Sequence, residues 1–117
     1  MDLVLVVTTE GLPGYEITAV LGEVLGVVPA SRNPFATGIR SPEGGPMRDM
    51  AHYLVQTRSR AVAQMIHAAE QRGATAIVAM RFDHRDITSA WLELCAYGTA
   101  VVAAPVSEHA KRNHEAG

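Results

Sequence analysis

The chain has 117 residues, and its formal net charge of −2 at pH 7 gives no electrostatic reason to expect nucleic acid or an anionic membrane as a partner. This length fits one domain, and the single cysteine, Cys95, excludes disulfides within the chain and metal sites of the Cys-x-x-Cys kind. With no leader pattern and no apolar run of membrane-spanning length, we expect a soluble cytoplasmic protein.

The first 45 residues predict two strands and an irregular segment. Residues 3–9, LVLVVTT, are apolar on both alternating faces, which is typical of a buried strand. Residues 10–14 predict a turn, and residues 15–28 predict a second strand, antiparallel to the first. Gly22 and Gly26 inside that strand predict a bulge or a sharp bend. Residues 29–45 are rich in proline and glycine, with a short helical turn expected at 35–40.

Residues 46–72 predict one long amphipathic helix. Gly44 and Gly45 break the chain, Pro46 suits the first helical position, and Gly73 suits the position just past the end. The apolar residues fall within an arc of roughly 160° at about 100° per residue. Arg58 interrupts this arc, so its guanidinium must either reach water or find a carboxylate.

The remaining residues predict two further strands and a tail. Residues 74–83 are apolar on both faces until Arg81. Residues 90–104 alternate, with Trp91, Glu93, Cys95 and Tyr97 on one face and Leu92, Leu94 and Ala96 on the other, and Gly98 predicts a bulge. We therefore predict one domain at residues 1–106, followed by a polar and disordered tail at 107–117.

These elements predict an α+β fold, in which a small antiparallel sheet of about four strands packs on one long helix in two layers. One helix covers only one face of a sheet, yet three strands are apolar on both faces. The second face is covered either by other subunits, which we favour, or by the segment 29–45.

Five separated motifs resemble those of the YbjQ-like family. They occur in order as PGYEI at 13–17 followed by VLG at 20–22, GG at 44–45, GATAIV at 73–78 with MRFD at 80–83, and AYGTAV at 96–101. Arg58 matches a helix arginine typical of that family, whereas Pro46 and Met47 depart from its usual polar helix start. The resemblance implies a ring-like homo-oligomer, a pentamer, and no established activity. The family carries the label "putative heavy-metal-binding".

A polar cluster is the first candidate site. Arg58 needs a partner, for which Glu16 and Glu93 are the preferred carboxylates and Asp83 is the third choice. The structural interpretation is a buried ion pair that fixes the packing of the helix, and it is favoured. The functional interpretation is a pocket at a subunit boundary, in which Arg58, Arg81 and a carboxylate bind a small polar ligand.

Metal binding and catalysis have weaker support. His52 and His67 are about 22 Å apart along a helix, and no other set has convincing ligand spacing within one chain. Cys95 follows a buried-strand pattern and is predicted to be a buried, unreactive thiol, because apolar burial raises the pKa of a thiol. We therefore expect a non-enzymatic oligomeric binding or scaffold protein with no catalytic or metal-binding residues assigned. The alternatives are a metal site between subunits and, third, an enzyme that uses an intersubunit cleft.

Overall fold

A computed structural model describes residues 3–31 and 45–106, with the backbone alone at 45–49. The elements in chain order are β1 (Leu5–Val6), β2 (Tyr15–Ser31), α1 (Gly45–Gln71), β3 (Ala76–Asp86) and β4 (Trp91–Pro105). The strands form one sheet in the order β1-β3-β4-β2, and α1 packs on one of its faces, chiefly against β2 and β4. The fold is therefore α+β, with one helix on a four-stranded mixed sheet that curls.

The helix begins and ends where the sequence predicts, to within one residue. At its C-terminal end the Gly73 N–H donates to the Glu70 carbonyl and the Ala74 N–H donates to the Ala69 carbonyl, both at 3.0 Å. Gly73 has φ of +78°. These two bonds and the left-handed glycine form a Schellman motif, which satisfies carbonyls that the helix cannot pair internally.

The predicted first strand is wrong in length and in pairing. Only Leu5 and Val6 are in a strand, and they pair in parallel with Ala76 and Ile77 of β3 rather than antiparallel with β2. Leu3 is 90% exposed, so this segment is not buried on both faces. The antiparallel partner of β2 is β4, and the two strands pair along their whole lengths. Local sequence does not predict which residues of these two strands pair.

Side chains of α1, together with Arg72 immediately after it, cover part of the free edge of β2. The Tyr53 hydroxyl accepts from the Ser31 N–H at 2.8 Å, and the Gln64 side-chain oxygen accepts from the Val27 N–H at 3.3 Å. Arg72 donates to the Leu21 carbonyl at 3.2 Å. Unpaired edge groups invite pairing with another strand. The helix therefore blocks strand addition along this part of the edge.

Gly26 and Gly98 permit close packing and are not themselves bulges. A Cβ on Gly26 would overlap the carbonyl oxygen of Ala61 and lie 2.7 Å from the Met65 nitrogen, so the helix backbone rests directly on β2. A Cβ on Gly98 would lie 2.6 Å from the Ile77 side chain, so that side chain packs directly on the backbone of β4. Of the predicted bulges, the one at Gly22 is confirmed, because the register shifts between Val20 and Gly22.

The bulge that the sequence places at Gly98 lies on the neighbouring strand. The register between β3 and β4 shifts between Val78 and Arg81, opposite Gly98. Within the described residues, Ala79 is the non-glycine residue with positive φ, at 55°. Its N–H donates to the Thr9 carbonyl at 2.8 Å, which ties the bulge to the segment after β1.

The sheet has two unequal faces, which we call the helix face and the outer face. The core on the helix face is formed by fully buried side chains of α1 and the sheet, among them Val24, Met65 and Ile77. On the outer face, Leu12 and Val7 cover Ala76, Val78 and Val101. The chain itself therefore covers one half of the outer face, through the segment between β1 and β2. The predicted helical turn at 35–40 and tail at 107–117 lie outside the described residues.

Candidate functional site

The other half of the outer face carries a ladder of polar cross-strand pairs. On β3 and β4 these pairs are Arg81 with Tyr97, Asp83 with Cys95, and Arg85 with Glu93. The same face continues onto β2, where Val27 pairs with Cys95, Leu25 pairs with Tyr97 and Glu23 pairs with Thr99. Side chains alternate along a strand, so the pairing register decides which of them share this face.

The ladder surrounds a shallow hollow of about 280 Å³. Its lining is mostly polar and consists of Glu23, Leu25, Asp83, His84, Arg85, Glu93, Cys95 and Tyr97. Arg85 approaches Glu93 at 3.6 Å and is largely exposed, which makes this pair a weak contributor to stability. The hollow is thus a water-accessible site with an excess of carboxylates.

Cys95 lies between these carboxylates and is half-buried rather than buried as predicted. Burial raises the pKa of the Cys95 thiol above its ordinary value of 9.0, and the charges of Glu93, Asp83 and Glu23 raise the pKa further. The thiol therefore stays protonated at neutral pH, which makes it a poor nucleophile. The predicted direction of the pKa shift is correct, although in the single chain burial is only partial.

The four residues of the predicted polar cluster are not together in one chain. Arg81 and Glu93 are on the outer face, in the hollow's ladder, whereas Arg58 is on the helix. Arg81 donates to the Thr8 and Met80 carbonyls, each at 2.8 Å. Glu16 pairs with Ala104 near the start of β2, whereas Glu93 pairs with Pro29 near the end of that strand. Glu16 and Glu93 are therefore on the order of 40 Å apart along the sheet.

The sequence predicts a buried Arg58 paired with Glu16 or Glu93, but in the single chain it is neither buried nor paired with a described carboxylate. Arg58 is exposed, and its guanidinium carbon lies 5.0 Å from the centre of the Phe82 ring. Phe82 is on the helix face, so the sheet separates Arg58 from Glu93. Of the predicted apolar arc, Ala61, Met65 and Ala69 are buried. Its members in the first half of the helix, Ala51, Leu54 and Val55, are exposed, so the single chain does not cover the whole arc.

Sequence reasoning found Cys95, Glu93 and Tyr97 as one face of a strand but did not assign Glu23 to the site. Glu23 joins the hollow only through the register of β2 on β4, which no local pattern encodes. Among the described residues, no three His, Cys, Asp or Glu side chains are grouped closely enough to hold a metal ion. No described helix has the length and apolar character needed to cross a membrane.

Comparison with known proteins identifies the family. A family model described as "Putative heavy-metal-binding" matches residues 4–104. The chain belongs to the YbjQ family. The resemblance seen in the sequence motifs is thereby confirmed over almost the whole described chain.

Curated relatives of the YbjQ family chain carry the name UPF0145 protein. One from Acidothermus cellulolyticus is 46% identical over 99 residues, which span 82% of this chain and 92% of the relative. Another, from Thermoplasma volcanium, is 38% identical over 112 residues, which span 93% of this chain and 92% of the relative. Neither name states an activity.

A solved structure supports the fold of this YbjQ family member. It is a protein with unknown function from Pediococcus pentosaceus, with a TM-score of 0.54 and 17% sequence identity, covering 86% of this chain and 98% of that one. At this identity the similarity concerns the fold alone. The comparisons thus indicate neither an enzyme nor any other specific function.

Proposed function

We propose that this protein is the subunit of a ring-like homo-oligomer, a pentamer, that acts as a binding or scaffold protein rather than as an enzyme. The supporting observation is the set of large apolar side chains that the single chain leaves exposed. They are spread over both faces and the hairpin tip: Leu3, Leu5, Tyr15, Ile17, Val20, Leu25, Leu54, Val55, Ile87 and Trp91. Among them Leu3, Leu5 and Tyr15 line one hollow together with Leu12, and contiguous apolar surface of this kind marks sites of association.

The ligand position in this proposal is the hollow on the outer face, at a boundary between subunits. Glu93 lines it and Arg81 lies beside it, whereas Arg58 and Glu16 would have to come from a neighbouring copy. A small polar ligand suits the lining, because carboxylates, arginines and a tyrosine hydroxyl offer both acceptors and donors. Among the described residues the half-buried Cys95 thiol donates to the Ala96 carbonyl at 3.8 Å rather than to a basic side chain, and this argues against nucleophilic catalysis there.

A cytoplasmic location is part of the proposal. A chain with one cysteine forms no internal disulfide, and its folding therefore does not depend on an oxidising compartment.

Light scattering coupled to size-exclusion chromatography tests the assembly. We expect a mass of about five times the 12.5 kDa chain at micromolar concentration. A monomeric mass across the accessible concentration range would overturn the proposal. Native mass spectrometry of the same untagged sample then shows whether a small molecule is retained at a fixed ratio to subunits.

Metal binding between subunits is the second candidate. The Cys95 thiol lies in one hollow with the Glu23, Asp83 and Glu93 carboxylates, and further ligands would come from a neighbouring copy. Elemental analysis of untagged protein separates the two candidates. One dominant metal at a fixed ratio per subunit supports metal binding, whereas traces of several metals count against it.

A further inference from the structure

One flank of α1 forms an exposed apolar patch with a cation at its centre. This helix patch consists of Ala51, Leu54, Val55 and Arg58, which share one side of the helix at about 100° per residue. Leu54 is 48% exposed and Val55 is 64% exposed. Arg58 stacks on Phe82 but makes no hydrogen bond or ion pair with another residue in the described ranges. The patch therefore has apolar surface to bury and a charge without a counter-ion among the residues that the structure describes.

The polar half of the outer face has the complementary character. Leu25 is 45% exposed and Val27 lies beside it, so this face also has apolar surface to bury. Its two arginines are engaged, Arg85 with Glu93 and Arg81 with backbone carbonyls. Asp83 has no ion pair with any described residue. The uncompensated charge on the polar half of the outer face is thus negative.

The raised pKa of Cys95 is consistent with this negative charge. After burial, the causes of the shift are the carboxylates of Glu93, Asp83 and Glu23. Charges that disfavour a thiolate at this point would favour a guanidinium placed there.

We propose that the helix patch of one copy packs on the polar outer face of a second copy, with Arg58 beside Asp83. This inference rests on the proposed homo-oligomer and adds which two surfaces meet. A second copy fits because both the apolar areas and the charges of the two surfaces match. The two surfaces are different, so the contact is head-to-tail, the kind of interface that closes into rings, including rings with an odd number of subunits.

The free edge of β2 favours this face-to-face arrangement over strand addition. Tyr53, Gln64 and Arg72 already occupy backbone groups along this edge beside the polar outer face. A neighbouring strand would have to displace these bonds. A neighbouring helix on the outer face leaves them intact, and it places helices on both sides of the sheet, which is a stable layer arrangement.

The first test uses Cys95 as a probe of the covered surface in the native protein. The inference predicts that the assembled protein reacts with a thiol reagent at least tenfold more slowly than the same chain diluted until it dissociates. An assembled mass combined with rapid labelling would overturn the inference but leave the homo-oligomer standing. A monomeric mass would instead overturn the homo-oligomer itself, so the two failures are distinguishable.

The second test reverses charges at the contact. Arg58→Glu places like charges together, and we expect the concentration needed for half-assembly to rise at least tenfold, on the order expected for like-charge contacts. Asp83→Arg should act similarly, and the double variant Arg58→Glu with Asp83→Arg should recover assembly. Arg60→Glu is the matched control, because Arg60 is exposed on the opposite flank of the same helix.

Circular dichroism establishes that each variant is folded before its mass is interpreted. Folded Arg58→Glu with unchanged mass and unchanged Cys95 labelling would contradict the proposed contact. So would equal weakening by Arg60→Glu, because that result would reflect net charge rather than a specific surface. If Asp83→Arg fails to fold, the labelling measurement on the unmodified protein still decides.

Discussion

The two faces of the sheet around Gly26 and Cys95 differ in how their contacts are made. On the helix face the contact is between backbones: glycine and alanine allow α1 to lie against β2, with Met65 and Ala61 fully buried. On the outer face the contacts are between long polar side chains in cross-strand pairs, and Leu25 is exposed. The first face is complete within one chain, whereas the second presents unburied apolar surface and unbalanced charge.

This contrast teaches where stability and association reside in the molecule. Substitutions on the helix face should change the free energy of unfolding of the chain itself. Substitutions on the outer face should leave folding nearly unchanged and act on whatever binds there. The following predictions test that division, and each is measured on dilute protein so that association does not contribute.

Gly26→Val should have the largest effect, because the new side chain would overlap helix backbone that cannot move aside as a side chain could. We expect a loss of about 5 kcal/mol, the upper end for single substitutions, measured as the shift in a urea unfolding curve. Gly11→Val is the control, since a Cβ added at Gly11 would have no atom within 4 Å. Equal stability of the two variants would break the contrast between the faces.

Met65→Ala against Leu25→Ala compares the two faces directly. Met65 is fully buried and Leu25 is 45% exposed. Truncating a buried methionine costs about 2–5 kcal/mol, through lost transfer free energy and a residual cavity. For Leu25 we expect less than about 1 kcal/mol. A similar shift in unfolding midpoint for both variants would show that the outer face is packed within the chain.

Ala79→Gly should stabilise the chain slightly. A left-handed conformation costs a non-glycine residue roughly 1–2 kcal/mol, partly offset by the greater backbone entropy that glycine loses on folding. We expect a net gain of about 0.5–1 kcal/mol by thermal or urea unfolding. At Ala104, an exposed strand position, Ala→Gly should destabilise instead. A loss of stability at both positions would mean that the bulge is not strained.

The smallest effect concerns the pH dependence contributed by Cys95. Because the folded chain raises the pKa of this thiol, the associated stability is present below pH 9 and is lost as pH rises through the folded pKa. The unfolding free energy of the unmodified chain should therefore fall more steeply above pH 9 than that of Cys95→Ala. Parallel pH profiles for the two proteins would contradict the raised pKa.

The sequence predicted what local chemistry determines. The ends of α1 follow from Pro46 and Gly73, and the extents of β2, β3 and β4 follow from polarity patterns that are correct to within three residues. Register and strand order were not predictable, because pairing between residues about 80 positions apart leaves no local signal. The parallel pairing of β1 and the bulge at Ala79 are examples.

The candidate site was only partly predictable for the same reason. Alternation placed Glu93, Cys95 and Tyr97 on one face, which the structure confirms, but only the register adds Glu23 and Asp83. Arg58 was misplaced because a helical wheel gives the direction of a side chain and not what lies opposite it. The sheet beneath α1 does not extend under the whole apolar arc.

The close contact at Gly26 also has a mechanical consequence. Where a helix and a strand touch through side chains, a small sliding motion can be absorbed by rotamer changes. Between Gly26 and the Ala61 carbonyl there is no side chain to rearrange. A push on the exposed flank of α1 is therefore transmitted to β2 as a rigid displacement, with this crossing as the pivot. Through the continuous β2–β4 ladder, the same displacement reaches the strand that carries Cys95.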